Sequence, residues 1–379
     1  MININDLSFQ RPTWAEINLD TLRSNYLAIH EAVKPAGVLA VVKADAYGHG
    51  AIVIARELNH LGLERFGTAT ALEAIELRKA GIQTPVVVLS GMTVSQLPLL
   101  LQYDLIPAVY DFEFLKALDE FTEKHRRQVS IHLKVDTGMG RLGFKPEDAA
   151  IVLKKKYPYV RMEGVYTHFA NADVPEDNYT GLQLQRFLNL LGERSVQIPP
   201  YRHAANSAGI LNFPKSHLDL VRPGLILYGI SPAADLAIPV QPILSLKSRI
   251  IALRRIAKDE TIGYGRTFQA ARDSVIGTVP FGYADGLRRN LSNRLEVEVC
   301  GKMCRIAGTI SMDLCMLDVT DVADQIKLQD EVTFVGPRTT CWDWARLLDT
   351  IPYEITCLIG ARVPRVYIKN GQVCDVYYP

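Results

Sequence analysis

The chain has 379 residues, 48% of them hydrophobic, and a formal net charge of +1 at pH 7. That is enough for a large core and for two domains, or a barrel with an appendage. The near-zero charge gives no reason to expect nucleic acid or an anionic membrane as a partner, and no apolar run approaches the ~20 residues a bilayer span needs. The first residues, MININDLSFQ, lack the basic-then-apolar order of a secretory signal, and the six cysteines include no C-x-x-C pair. They read as free thiols in a reducing, cytoplasmic compartment. Without such a signal the sequon Asn178-Tyr179-Thr180 carries no meaning.

In chain order, TWAEINL predicts a strand that precedes a first helix capped by Asp20. Eight further short strands are predicted at 38–43, 66–70, 86–90, 106–110, 130–136, 163–168, 201–206 and 219–227. Helical segments separate them. ALEAIELRKAG places Leu72, Ile75 and Leu77 near helical spacing with Gly81 as its stop, and GLQLQRFLNLL puts Leu184, Phe187, Leu188 and Leu191 on one face. Eight strands alternating with helices predict a closed parallel (β/α)8 barrel of the TIM type, an α/β fold. The strand in TWAEINL would be a ninth, so it is expected to pair elsewhere. After residue 240 the pattern becomes short strands with Gly and Asp turns, TCWDWARLLDTI alone reading as a helix. The boundary is set near ADLAIPVQP: residues 13–240 for the barrel, residues 1–12 and 241–379 for a mainly-β domain.

Barrel enzymes carry their chemistry at the C-terminal ends of the strands. In VLAVVKADAYGHG an apolar strand ends in Lys43, with Tyr47, Gly48 and Gly50 just beyond. A lysine there either reaches water or, if desolvated, attacks a carbonyl. Lys134 and Arg141, His168, Asn206 and Ser207, and Arg222 with Gly224 fall at or after other strand ends. This basic, hydroxyl-bearing set suits a phosphate-bearing anion and suits a metal poorly. Arg222 needs a partner, and an internal ion pair with Asp219 is the plainer option. GMGRLG fits G-x-G-x-x-G, but the next helix is expected only from Pro146, after the motif has ended. In the β-rich part, GYGRTF puts Tyr264 on a turn between Gly263 and Gly265; FGYADG holds Tyr283, and ISMDLCM holds Met312 and Asp313.

Together VVKADAYGHG, HLKVDTGMGRLG, YTHFANAD, RPGLILYG, GYGRTF, GYADG and SMD, in this order, resemble alanine racemase over essentially the whole chain. That family joins a pyridoxal 5'-phosphate-binding barrel to a β-domain. The resemblance implies that Lys43 holds the cofactor aldehyde, and that Tyr47, Asn206, Ser207, Gly224, Leu225 and Tyr353 lie at its binding site, several of them at the phosphate. It implies that Arg222 faces the pyridine nitrogen, that Arg141 lies near the phenolic oxygen and the substrate carboxylate, and that Lys134 is carbamylated. His168 would link Arg222 to a second base, Tyr264. Tyr264, Tyr283, Met312 and Asp313 would come from the other subunit of a homodimer, the last three near the substrate. The implied reaction is two-base interconversion of L- and D-alanine for peptidoglycan, with no metal, nucleic acid or membrane. Competing readings are an amino-acid decarboxylase of the same cofactor class, a non-catalytic pyridoxal-phosphate carrier and a nicotinamide dehydrogenase. GYGRTF and SMD argue against the first, the long β-rich part against the second, and the third rests on GMGRLG alone.

Overall fold

The computed structural model describes residues 12–232 and 238–378, and the chain falls into two compact units. One holds Arg23–Tyr47 and the chain from Ala51 to Gln241. The other gathers the described residues up to Leu22, Gly48–Gly50, and the chain from Pro242. The expected assignment of residues 1–11 and part of the expected boundary segment lie outside the described residues.

The strand β1 (Thr13–Asn18) comes first in the chain. The first unit is a closed barrel of eight parallel strands: β2 (Gly37–Val41), β3 (Arg65–Thr68), β4 (Val86–Val88), β5 (Ile106–Val109), β6 (Val129–Lys134), β7 (Val160–Tyr166), β8 (Tyr201–His203) and β9 (Leu220–Val221). The predicted strands are all present, but each stops earlier than expected. Strand pairing ends before Lys43, which opens a helical turn, and before Asp136, His168 and Asn206, which lie beyond their strands. The largest contraction is at β9, expected over 219–227. Pro223 has no N–H to give a ladder, and Leu225–Tyr228 wind into a 3-10 turn. Val38, Leu39, Ala40, Val87, Ala108, Ile131, Leu133 and Val165 pack inside with no exposure.

Local signals set the helices. Ala71–Lys79 starts at a capping box in which Thr70 accepts from the Glu73 N–H while the Glu73 carboxylate accepts from Thr70. Asp111 caps Phe112–His125 through the Phe114 N–H at 2.7 Å. Pro146 opens Pro146–Lys154, as predicted. Three expectations are corrected. The cap of Leu19–Val33 is Asn18, which accepts from the Thr21 N–H at 2.9 Å, so Asp20 lies inside the first turn. Leu72 and Leu188 face solvent, because Ala71 and Ala74 fill the buried face of one helix and Gln183 and Leu190 that of the other.

The second unit centres on a seven-stranded sheet. Its spatial order is Lys302–Arg305, Glu296–Val299, Glu331–Val335, Leu244–Arg249, β1, Arg365–Lys369 and Gln372–Tyr377. Thr13–Asn18, assigned above to the barrel domain, is thus a central strand here. It runs antiparallel to Leu244–Arg249 and parallel to Arg365–Lys369. A three-stranded sheet and a two-stranded ribbon complete the unit. Trp14, Phe281 and Phe334 are buried in its core, the two phenyl rings edge to face at 4.7 Å. Besides the predicted helix, found at Cys341–Leu348, a short one at Pro352–Cys357 follows. None of the six cysteines, all among the described residues, is in a disulfide.

Candidate active site

Just past β2 the chain leaves Lys43 exposed and enters a left-handed helical turn. Ala44, Asp45, Ala46 and Tyr47 all have φ between 51° and 54°, and none is glycine. Such a conformation costs about 1–2 kcal/mol per residue, so tertiary bonds must hold it. The Ala44 N–H donates to the Glu73 carboxylate at 2.8 Å, the Ala46 N–H to the Val42 carbonyl at 2.9 Å, and the Ala51 N–H to the Asp45 carboxylate at 2.7 Å. Strain of this kind gathers where a side chain has to be aimed. The glycines beyond the turn serve other contacts: a Cβ at Gly48 would come within 2.2 Å of the Thr356 carbonyl oxygen.

The same turn buries Tyr47, whose ring tilts against Tyr228 at 5.2 Å. Its hydroxyl lies where a side chain at residue 224 would begin, since a Cβ on Gly224 would sit 2.4 Å from the Tyr47 oxygen. The Ser207 hydroxyl accepts from the Gly224 N–H at 3.0 Å and from the Ile226 N–H at 3.4 Å, with Leu225 buried between them. Asn206 spends its side-chain oxygen on capping Ser207–Asn212 through the Gly209 N–H. The Tyr47 and Ser207 hydroxyls thus meet the Gly224–Ile226 backbone where a Cβ would clash, and hydroxyls beside backbone N–H groups are the donor set of a cradle that suits phosphate.

Arg222 follows β9 and is 3% exposed. Its Nη1 donates to His203 Nδ1 at 2.9 Å; its Nη2 donates to the Thr167 and Ala204 carbonyls at 2.8 and 2.9 Å and to His168 Nδ1 at 3.2 Å. Asp219, the partner expected as the plainer option, pairs with Arg202 at 2.6 Å instead, and no carboxylate pairs with Arg222 among the described residues. Burial lowers the Arg222 pKa to about 10, still a cation at neutral pH. A guanidinium only donates, so both histidine Nδ1 atoms accept and carry their protons on Nε2. His203 Nε2 then donates to His132 Nδ1 at 2.8 Å. His132 Nε2 is buried without a hydrogen-bond partner. Burial lowers the pKa of His168 and His203 far below the ordinary histidine value, and that of His132 to about 3. Sequence reasoning missed His203 as part of the site. The signal available was a histidine closing a short strand in register with Leu220, two residues before Arg222.

Lys134, the last residue of β6, is buried against the Tyr166 ring at 5.4 Å, with its ammonium 3.4 Å from the Leu89 carbonyl. Burial first, then the charges of Arg222, Arg141 and Lys43, lower its pKa to about 8. Arg141 is exposed on the loop after β6. The structure therefore brings Lys43, Lys134, Arg141, His168 and Arg222 into one cationic field, with Tyr47, Ser207 and Gly224 forming the cradle.

The remaining expected residues belong to the other unit. Tyr353 sits half-buried on Pro352–Cys357. Tyr264 is 72% exposed on a 3-10 turn whose Tyr264 carbonyl accepts from the Thr309 hydroxyl at 2.8 Å. Tyr283 and Met312 are also exposed, and the Asp313 carboxylate takes a bond from Arg362.

Residues 17–232 match the family described as alanine racemase, N-terminal domain, and residues 243–367 match alanine racemase, C-terminal domain. The chain belongs to the alanine racemase family. An alanine racemase of Clostridium tetani is 41% identical over 380 residues, covering 97% of this chain and 98% of its own. Alanine racemase from Bacillus anthracis with bound L-Ala-P is 33% identical, with a TM-score of 0.90 and 98% of each chain covered. Alanine racemase from Bartonella henselae with covalently bound pyridoxal phosphate is 29% identical, with a TM-score of 0.87, covering 94% of this chain and 99% of its own. Membership of this family makes the protein an isomerase, and the barrel with its separate mainly-β unit is that family's architecture.

Proposed function

We propose that this alanine racemase uses pyridoxal 5'-phosphate and interconverts L- and D-alanine by a two-base mechanism in a homodimer with shared sites, supplying D-alanine for peptidoglycan. The observation that carries the reading is the buried Arg222, a cation with no carboxylate partner among the described residues, beside a hydroxyl and amide cradle. A buried unpaired charge is costly, and an anionic, electron-rich ligand offsets that cost. The residues fit the cofactor. Tyr47, Ser207, Gly224, Leu225 and Tyr353 would hold its phosphate, Arg222 its ring nitrogen, Lys43 its aldehyde carbon and Arg141 its phenolic oxygen. When bound, the cofactor supplies a ring that takes up negative charge from the substrate α-carbon.

The chain's own groups do the rest. Lys43 moves a proton on one face of the α-carbon, and the partner subunit's Tyr264 moves one on the other. Arg222 can only donate, so it would hold a ring nitrogen facing it in its unprotonated form. His168, neutral and accepting from Arg222, connects that arginine to the second base. Lys134, with its pKa lowered to about 8, has the free-amine fraction needed to add carbon dioxide: its nitrogen bonds the carbon and releases a proton, giving a carbamate anion that orients Arg141. Arg141, with Met312 and Asp313 from the partner subunit, would hold the substrate carboxylate, and Tyr283 would line its approach. No disulfide joins the six cysteines, which fits a reducing, cytoplasmic setting.

The test is a chiral assay on L- and D-alanine together with borohydride reduction of the cofactor-loaded protein and peptide mapping. Interconversion in both directions and cofactor fixed on Lys43 are expected. In Lys43→Ala the label should vanish and activity fall at least about a thousandfold. Label on another lysine, or decarboxylation in place of racemisation, contradicts the reading.

A further inference from the structure

The turns that carry Tyr283 and Met312–Asp313 are stitched to each other by backbone. The Tyr283 N–H donates to the Ser311 carbonyl and the Ala284 N–H to the Met312 carbonyl, both at 3.1 Å. The approach is so close that a Cβ on Gly282 would fall 2.3 Å from the Met312 oxygen. A third segment joins them, because the Gly360 N–H donates to the Asp285 carbonyl at 2.9 Å. Arg362, two residues on, makes the charged link. Its Nε and Nη2 reach one oxygen of Asp285 at 3.1 and 2.9 Å, and its Nη1 reaches Asp313 at 2.9 Å. The two carboxylates differ in setting: Asp285 is 1% exposed and uses its other oxygen to accept from the Gly282 N–H at 2.9 Å, whereas half of the Asp313 side chain is open to solvent.

We propose that Arg362 is a positioning residue for catalysis: by bridging buried Asp285 to exposed Asp313 it fixes the turn that presents Met312 and Asp313 to the substrate. The inference rests on the reading of Asp313 as substrate-facing. One guanidinium does two things here. It places a countercharge against the Asp285 carboxylate inside the unit, and its rigid fork sets the direction of the Asp313 carboxylate. Without that bond the half-open Asp313 side chain would be held less firmly and would lose more entropy when substrate bound. The consequence is on substrate binding more than on the chemical step.

The experiment separates the two jobs of Arg362. Arg362→Leu alone removes the guanidinium from a buried carboxylate and is expected to lower stability. In Arg362→Leu/Asp285→Asn that charge is gone while the Asn oxygen can still accept from Gly282, so the melting temperature should recover. If Asp313 is aimed by Arg362, KM for alanine stays raised about tenfold in this pair, with kcat changed much less. Recovery of stability together with a wild-type KM overturns the proposal. Arg362→Lys, which keeps the charge and loses the fork, decides the matter if the pair does not fold: a raised KM supports the proposal and an unchanged KM overturns it. Asp313→Asn is run beside them. If Asp313→Asn leaves KM untouched, the reading of Asp313 has failed and the proposal falls with it; a raised KM there with a wild-type KM in the Arg362 variants refutes the role of Arg362 alone.

Discussion

The two groups of site residues are built in opposite ways. At the end of the barrel, Arg222 and Lys134 are buried, and Arg222 meets two histidines and two carbonyls on its own chain. In the β-rich unit, Tyr264, Tyr283 and Met312 are 72%, 43% and 53% exposed and are held through backbone turns. The first group is held by hydrogen bonds within its own chain. The second offers large side chains to water, where a monomeric protein gains little from them. The contrast is between a buried group bonded within the barrel unit and an exposed group that, on the proposed reading, a second copy would cover.

Substitutions can sharpen that contrast, beginning with the cradle. Gly224→Ala would put a methyl group against the Tyr47 hydroxyl, 2.4 Å away before relaxation. Cofactor affinity, measured by equilibrium dialysis, should fall by ten- to a hundredfold, to order of magnitude, with the fold retained. Met312→Ala, on the exposed edge, should leave that affinity unchanged. Equal losses in both variants would erase the distinction between the two groups.

Acid should act on the buried group next. His132, His168 and His203 are held neutral chiefly by burial. Their folded pKa values lie below the unfolded value near 6.5, so the unfolded chain binds more protons as pH falls through that value. Stability is complete above pH 6.5 and declines below it, by up to about 1.4 kcal/mol per pH unit for each histidine. Urea midpoints between pH 7.5 and 5 check this, and His132→Gln should flatten the slope by one histidine's share. A pH-independent midpoint contradicts it.

The smallest effect is expected at Asp219. Its pair with Arg202 is partly exposed, with about a third of each side chain open, and such pairs contribute roughly 0–1 kcal/mol. Asp219→Asn should shift stability within that range and leave racemisation unchanged. A large loss of activity would reinstate Asp219 as the counterion of Arg222.

The barrel was legible because each strand is a short apolar run bounded by Gly, Pro or polar residues, and the placing of Lys43, Lys134, His168 and Arg222 near strand ends followed from it. Strand ends were overrun because the apolar pattern continues into buried loops, as with Leu225–Leu227 after β9. The left-handed turn at Ala44–Tyr47 was illegible: no glycine marks it, and its support comes from Glu73, distant in sequence. The pairing of β1 with Leu244–Arg249 was equally hidden, since a strand's own residues do not name a partner so far along the chain. The Arg222–His203–His132 chain depends on three strands meeting inside the barrel, which no local pattern encodes.

The central claim is that Lys43 of one chain and Tyr264 of another serve the same substrate carbon. Mixing Lys43→Ala with Tyr264→Ala protein under conditions of subunit exchange tests it most directly. Each mixed dimer then holds one intact site, so activity should return to about a quarter of the wild-type level at equal input. If exchange is demonstrated and the mixture stays as inactive as either parent, the two groups do not act in trans and the shared-site mechanism is wrong.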